Sequence, residues 1–169
     1  MLLLLHDSKV MKITTHWTWM MLLPALAIGA ETDPRGAQGS DRDFVVAAAR
    51  AGQQEVFDAT RAATQSRMEG VRHLAQMLRQ DHELSNERLG RLAHAKSMSL
   101  PPPEPSPSPT ASFSDQEYVA GQVQAHEEAI ALFRAEAERG TDREFRAFAA
   151  QVLPTLRKHL AALHALQTP

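Results

Sequence analysis

The chain has 169 residues, a formal net charge of −2 and no cysteine; 43% of its residues are hydrophobic and only 5% aromatic. That is one domain's length, and without cysteine it forms no disulfide, carries no lipid-bearing cysteine and takes its stability from packing. The weakly acidic balance gives neither the basic stripe of a nucleic-acid binder nor a polybasic patch for anionic lipid.

Residues 1–30 read as an export segment. Lys12 precedes an apolar run from Trp17 to Ala30, and small residues stand before Glu31. The run is short for a membrane span of roughly 20 residues and fits a cleavable signal peptide, with an uncleaved anchor as the alternative. The leader "MLLLLHDSKV" is odd for a signal peptide, and Met11 reads as the true start. Cleavage removes Asp7, Lys9 and Lys12 together with both tryptophans, Trp17 and Trp19. A weakly acidic periplasmic protein with no stable membrane insertion is the expectation.

Residues 31–40 form a short polar leader, and residues 41–169 are the expected four-helix domain. The helices fall at about 41–64, 67–96, 115–139 and 142–167, because apolar residues recur there at 3–4 spacing. Each start carries a cap signal: Ser40 to Asp43 weakly, then "SRME" from Ser66, "SDQE" from Ser114 and "TDRE" from Thr141. In the last three, the hydroxyl accepts from the third amide and the Glu reaches back. Phe113 and Tyr118 flank the third box as a hydrophobic staple, and Gly140 suits a left-handed helix end.

Residues 97–113, "SMSLPPPEPSPSPTASF", join the second helix to the third. Proline blocks helix there and favours an extended chain. At about 3.1 Å per residue, such a segment reaches ~50 Å, enough to run the length of a long helix. Two helical hairpins joined by one long crossover make a ferritin-like bundle. The alternative is a flexible tether between hairpins that pack in another order.

The seams carry the chemistry. The first helix reads Phe44, Ala48, Ala51, Glu55, Ala59, Ala62, and the second Val71, Leu74, Leu78, His82, Ser85, Leu89, Leu92. The third reads Val119, Val123, His126, Ile130, Phe133, Ala137, and the fourth Phe145, Phe148, Val152, Leu156, His159, Leu163, Leu166. Each helix thus turns one ionisable side chain inward. Glu55, His82, His126 and His159 fall within roughly 7 Å of a common mid-plane at 1.5 Å rise per residue. Buried ionisable groups must satisfy one another or bind something. Three imidazoles and a carboxylate are a donor set for zinc, copper, iron or nickel, and Asp81 is placed to accept from an imidazole N–H. The competing reading is an internal hydrogen-bond network that fixes register and binds no metal. His73, His94 and His164 lie off the seams and read as solvated, and Tyr118 reads as core or staple. Pro154, inside the fourth helix, removes one backbone hydrogen bond; the kink either swings the segment that carries His159 or only helps a bent helix wrap the core.

"DRDFVVAAARAGQQEV", "LAQMLRQDHELSNERL", "YVAGQVQAHEEAIALF" and "LPTLRKHL" (Leu153 to Leu160) resemble an exported bacterial family, domain of unknown function 4142, of the ferritin-like bundles. The resemblance implies fold, export and an envelope location; it hands down no reaction. Di-iron members of the ferritin-like class use Glu-x-x-His on two helices, whereas Arg79, Val123 and Leu156 stand three residues before His82, His126 and His159. A mononuclear, imidazole-rich site is therefore expected rather than an oxygen-activating pair. A non-enzymatic envelope stress or interaction module is the second function class. An enzyme with His or Glu as general base is the third and weakest, because the chain lacks a nucleophile motif and a phosphate loop.

Overall fold

The computed structural model describes residues 34–103 and 112–167, with side chains from residue 41 onward. The expected export segment, residues 1–30, and the middle of the proline-rich linker lie outside the described residues. Four helices make up the rest: α1 (Pro34–Gln65), α2 (Glu69–Ala95), α3 (Asp115–Arg139) and α4 (Arg143–Gln167). No strand occurs among the described residues, and no helix there is long and apolar enough to cross a membrane. The all-α, four-helix expectation holds.

The helix starts differ from the sequence expectation in three places. α1 begins at Pro34, so residues 34–40 of the expected polar leader are helical; proline's fixed φ and missing N–H suit a first helical position. At α2 the cap is Met68, with no side-chain hydrogen bond. Ser66 instead accepts from the Met68 amide at 3.1 Å and hydrogen-bonds to Asp115, stitching the α1–α2 turn to the start of α3. At α4 the box shifts by one residue: Asp142 Oδ1, not Thr141, accepts from the amides of Glu144 and Phe145. The third cap is as read, with Ser114 accepting from Glu117, and the Phe113 and Tyr118 rings lie 5.8 Å apart.

Gly140 is a second correction. Its φ is −55°, outside the left-handed region. Glycine is needed there for close approach, because a Cβ would meet Glu136 Oε1 at 2.1 Å and the Glu136 carbonyl oxygen at 2.8 Å.

Two apolar clusters show how the helices run. One gathers Phe44, Leu89, Ala93, Phe133, Phe145 and Phe148, and the other gathers Ala59, Ala62, Val71, Leu78, Val119 and Leu163. The start of α1 thus shares one end of the bundle with the ends of α2 and α3 and the start of α4. The order is up-down-down-up, with α1 packed chiefly on α2, α3 chiefly on α4, and lighter α1–α3 and α2–α4 seams. α2 and α3 run in the same direction, so Ala95 and Asp115 stand at opposite ends of the bundle. Met98 and Leu100 pack on the first cluster as the chain leaves α2, and Gln53 donates to the Pro101 carbonyl at 3.3 Å.

The end that holds the first cluster is locked by Asp41. Its carboxylate accepts from the Thr141 and Asp142 amides, each at 2.8 Å, and from the Thr141 hydroxyl. Asp41 is only 3% exposed, so little water can replace it. The α3–α4 turn is therefore capped from α1, 100 residues away in sequence. Asp41→Ala leaves two amides short of an acceptor, and a loss of about 1–3 kcal/mol is expected in denaturant melts; an unchanged midpoint contradicts the cap.

Candidate metal centre

Between the two apolar clusters lies a polar layer. His82, His126 and His159 are all buried, and the three rings sit 5.4–5.6 Å apart, centre to centre. One ring nitrogen from each lies within 4.8 Å of the others. The one-per-helix polar positions do converge at one height. Each is delivered by its helix's period: Leu78 to His82, Gln122 to His126 and Leu156 to His159 are steps of three or four residues on a buried face.

Hydrogen bonds set two of the tautomers. His126 Nδ1 donates to the Gln122 carbonyl at 2.9 Å. His159 Nε2 donates to Asp81 Oδ2, also at 2.9 Å. A carbonyl and a carboxylate only accept, so one proton is placed on each ring, and with both rings neutral His126 Nε2 and His159 Nδ1 carry lone pairs. Those two nitrogens face each other at 3.4 Å. His82 Nε2 adds a buried atom with no hydrogen-bond partner. Three imidazoles thus close on one point, and the two nitrogens that His126 and His159 turn to each other have no donor between them.

Glu55 stands at the edge of this group. Its Oε2 is 4.0 Å from His82 Nε2 and has no hydrogen-bond partner, outside the tight set of three rings. Asp81 serves His159, on another helix, rather than its neighbour His82. His73, His94 and His164 are exposed.

Two functional groups escape the sequence pattern. The α3 seam passes through Gln122 and Glu136, both buried, while Val123, Ile130 and Ala137 are only half-buried. The third helix is therefore turned by about one residue from its expected face. Its 119-122-126-133-136 spacing was legible in principle, but polar Gln and Glu do not announce a buried face. Gln122 matters doubly: its carbonyl orients His126, and its side chain opposes the upward shift that burial gives Glu55.

Electrostatics keep the layer nearly uncharged. Burial pushes Glu55 up to about 8, and Asp58 adds to the effect against the Gln122 hydrogen bond. Burial, with the charges of His126 and His159, pushes His82 down to about 3. His126 falls to about 4, again mainly by burial, although its bond to Gln122 resists. His159 is lowered by burial too, against the pull of Asp81. The imidazoles are thus neutral, the form that ligates a metal.

A cavity of about 510 Å³ opens beside the three rings, bounded by all four helices. A smaller one, about 300 Å³, lies between α1 and α3 and is lined by Asp58, Glu117, Tyr118 and Gln122. Glu55 borders both.

The shifted groups make a signed prediction for metal-free protein. His82 binds its proton near 6.5 when unfolded but near 3 when folded, so it lowers stability as pH falls from 6.5 towards 3. Glu55 binds its proton more tightly when folded, so its contribution is full below 4.5 and is lost as pH rises through about 8. Each slope approaches ~1.4 kcal/mol per pH unit for one proton. Taken from pH 7 to pH 5 in chelator, His82→Gln is expected to lose less stability than the parent, and Glu55→Gln to lose more. Parallel curves for all three proteins contradict the assignment.

Comparison with known proteins agrees on the fold. A crystal structure of the conserved hypothetical protein Rv2844 from Mycobacterium tuberculosis superposes with a TM-score of 0.67 at 14% identity, covering 77% of this chain and 92% of that one. The crystal structure of a DUF305 fragment from Deinococcus radiodurans gives 0.61 at 16% identity, covering 75% and 94%. Identities this low speak to the fold alone. No curated protein matches the sequence. The model for the domain of unknown function DUF4142 matches residues 26–166, and the chain belongs to that family.

Proposed function

We propose that this is an exported, ferritin-like bundle protein that binds one transition-metal ion in its core through His82, His126 and His159, with Glu55 supplying a carboxylate beside it. The observation that carries the reading is the pair of lone-pair nitrogens, His126 Nε2 and His159 Nδ1, at 3.4 Å. Two acceptors at that distance repel unless a proton or a metal ion sits between them, and the buried rings are held neutral. Two nitrogens bound 2.0–2.1 Å from one tetrahedral zinc ion lie roughly 3.3–3.4 Å apart, so the spacing fits an ion without rearranging either ring. The outer bonds support the same reading, because a ligating imidazole normally donates its other N–H to a carboxylate or a carbonyl, here Asp81 and Gln122.

The up-down-down-up order with one long crossover is the ferritin-like arrangement, and the segment before the bundle supports export on its composition. The donors are imidazole-rich, which suits zinc, copper, iron or nickel. The bridging carboxylates of a di-iron pair are missing, because Arg79, Val123 and Leu156 stand three residues before the three histidines. A single ion follows, and the polar α1–α3 cavity, with Asp58 and Glu117, offers a cation an approach to Glu55.

The competing reading is a register-setting polar layer without metal. Two of the three imidazoles do have one satisfied nitrogen each. It predicts that His82→Leu keeps or raises stability whatever the metal supply, since an apolar side chain replaces an unpartnered polar one. The metal reading predicts one ion per chain in elemental analysis of untagged protein. His126→Ala and His159→Ala should abolish that content, and metal at a hundred times its Kd should stabilise the parent by about 2.7 kcal/mol over chelated protein. No bound ion under any of several metal supplies overturns it.

A further inference from the structure

The central cavity is built from small side chains. α1 contributes Ala47, Ala48, Ala51 and Gly52, and α3 contributes Ala125 and Ala129, where large residues would fill a tight bundle. The two light seams of the bundle, α1–α3 and α2–α4, border it. Its far wall is apolar, with Leu89, Phe133, Phe148, Val152 and Leu156, and its near wall is the imidazole layer. At about 510 Å³ it lies in the size range of small-molecule pockets, roughly 300–1,000 Å³. Two polar atoms on the near wall, Glu55 Oε2 and His82 Nε2, have no hydrogen-bond partner. Their residues are 7% and 8% exposed, so bulk water does not serve them. Lining residues reach solvent on both seams, at Ala51 and Glu128 on one and at Leu84 and Gln151 on the other.

We propose that this cavity binds a small amphiphile, with an anionic oxygen head group on the ion held by the three imidazoles and an apolar chain lying between Ala48 and Ala129 on one side and Phe148 and Leu156 on the other. The inference rests on the metal reading above. Three neutral imidazoles leave a divalent ion at least one open position and two positive charges, of which a single carboxylate, Glu55, offsets one at most. A carboxylate head group neutralises the remainder. The tail gains by leaving water: each buried methylene contributes about a threefold to fourfold increase in affinity.

Straight-chain carboxylates from acetate to octanoate, titrated into the full chain loaded with Co(II) and followed by calorimetry and visible absorption, test the proposal. The expected result is a Co(II) spectral change with every acid and a rise in affinity of about threefold per methylene. Ala51→Leu and Ala129→Leu, which narrow the cavity from opposite helices, should flatten the series while leaving metal content unchanged. Equal affinities for acetate and octanoate on metal-loaded protein overturn the inference and leave the metal reading standing. Failure to take up metal, with octanoate still binding the metal-free chain in a length-dependent way, overturns the metal reading and the head-group contact but keeps the apolar site.

Discussion

Two nitrogens with lone pairs, held 3.4 Å apart in the centre of the bundle, set the terms for everything around them. Neither ring can turn away cheaply. Rotating His126 breaks its bond to the Gln122 carbonyl, and rotating His159 breaks its bond to Asp81. The repulsion is therefore locked in by hydrogen bonds that point outwards. Such an arrangement raises the energy of the polar layer. A fully satisfied polar network would instead alternate donors and acceptors across the layer.

The rest of the core tolerates this layer by flanking it. One apolar cluster lies towards the start of α1 and the other towards its end, so hydrophobic burial on both sides holds the four helices while the middle stays polar. The first cluster holds the large rings: Phe44, Phe133, Phe145 and Phe148 pack edge to face or tilted at 5.2–6.5 Å, geometries that favour aromatic pairs. The second relies on alanines, valines and leucines. Burial also keeps the imidazoles neutral.

The bundle's topology brings the donors together. α2 and α3 run in the same direction, so the end of one and the start of the other stand at opposite ends of the bundle, and each hairpin contributes two of the four polar positions. At the far end, the α1 carboxylate of Asp41 caps the turn between α3 and α4. Glu136 lies buried next to it, its carboxyl pushed up to about 7 by burial and by Asp41. A proton on Glu136 lets two acids share one corner, and Gly140 leaves room for the Glu136 side chain.

The sequence by itself determined the four helices, the long crossover, the third cap and the one-per-helix placement of Glu55, His82, His126 and His159. These follow from periodicity and turn chemistry, which are local and repeat along the chain. Only the tertiary structure decided how the positions pair. It turned α3 so that Gln122 and Glu136, rather than Val123 and Ala137, face inward, and it gave Asp81 to His159. It also moved the α4 cap to Asp142 under Asp41 and left Glu55 at the rim of the imidazoles. Each of these depends on the rotation and height of a neighbouring helix, fixed when the small alanine faces and the bulky phenylalanines settle against one another. No spacing within a single helix carries that information.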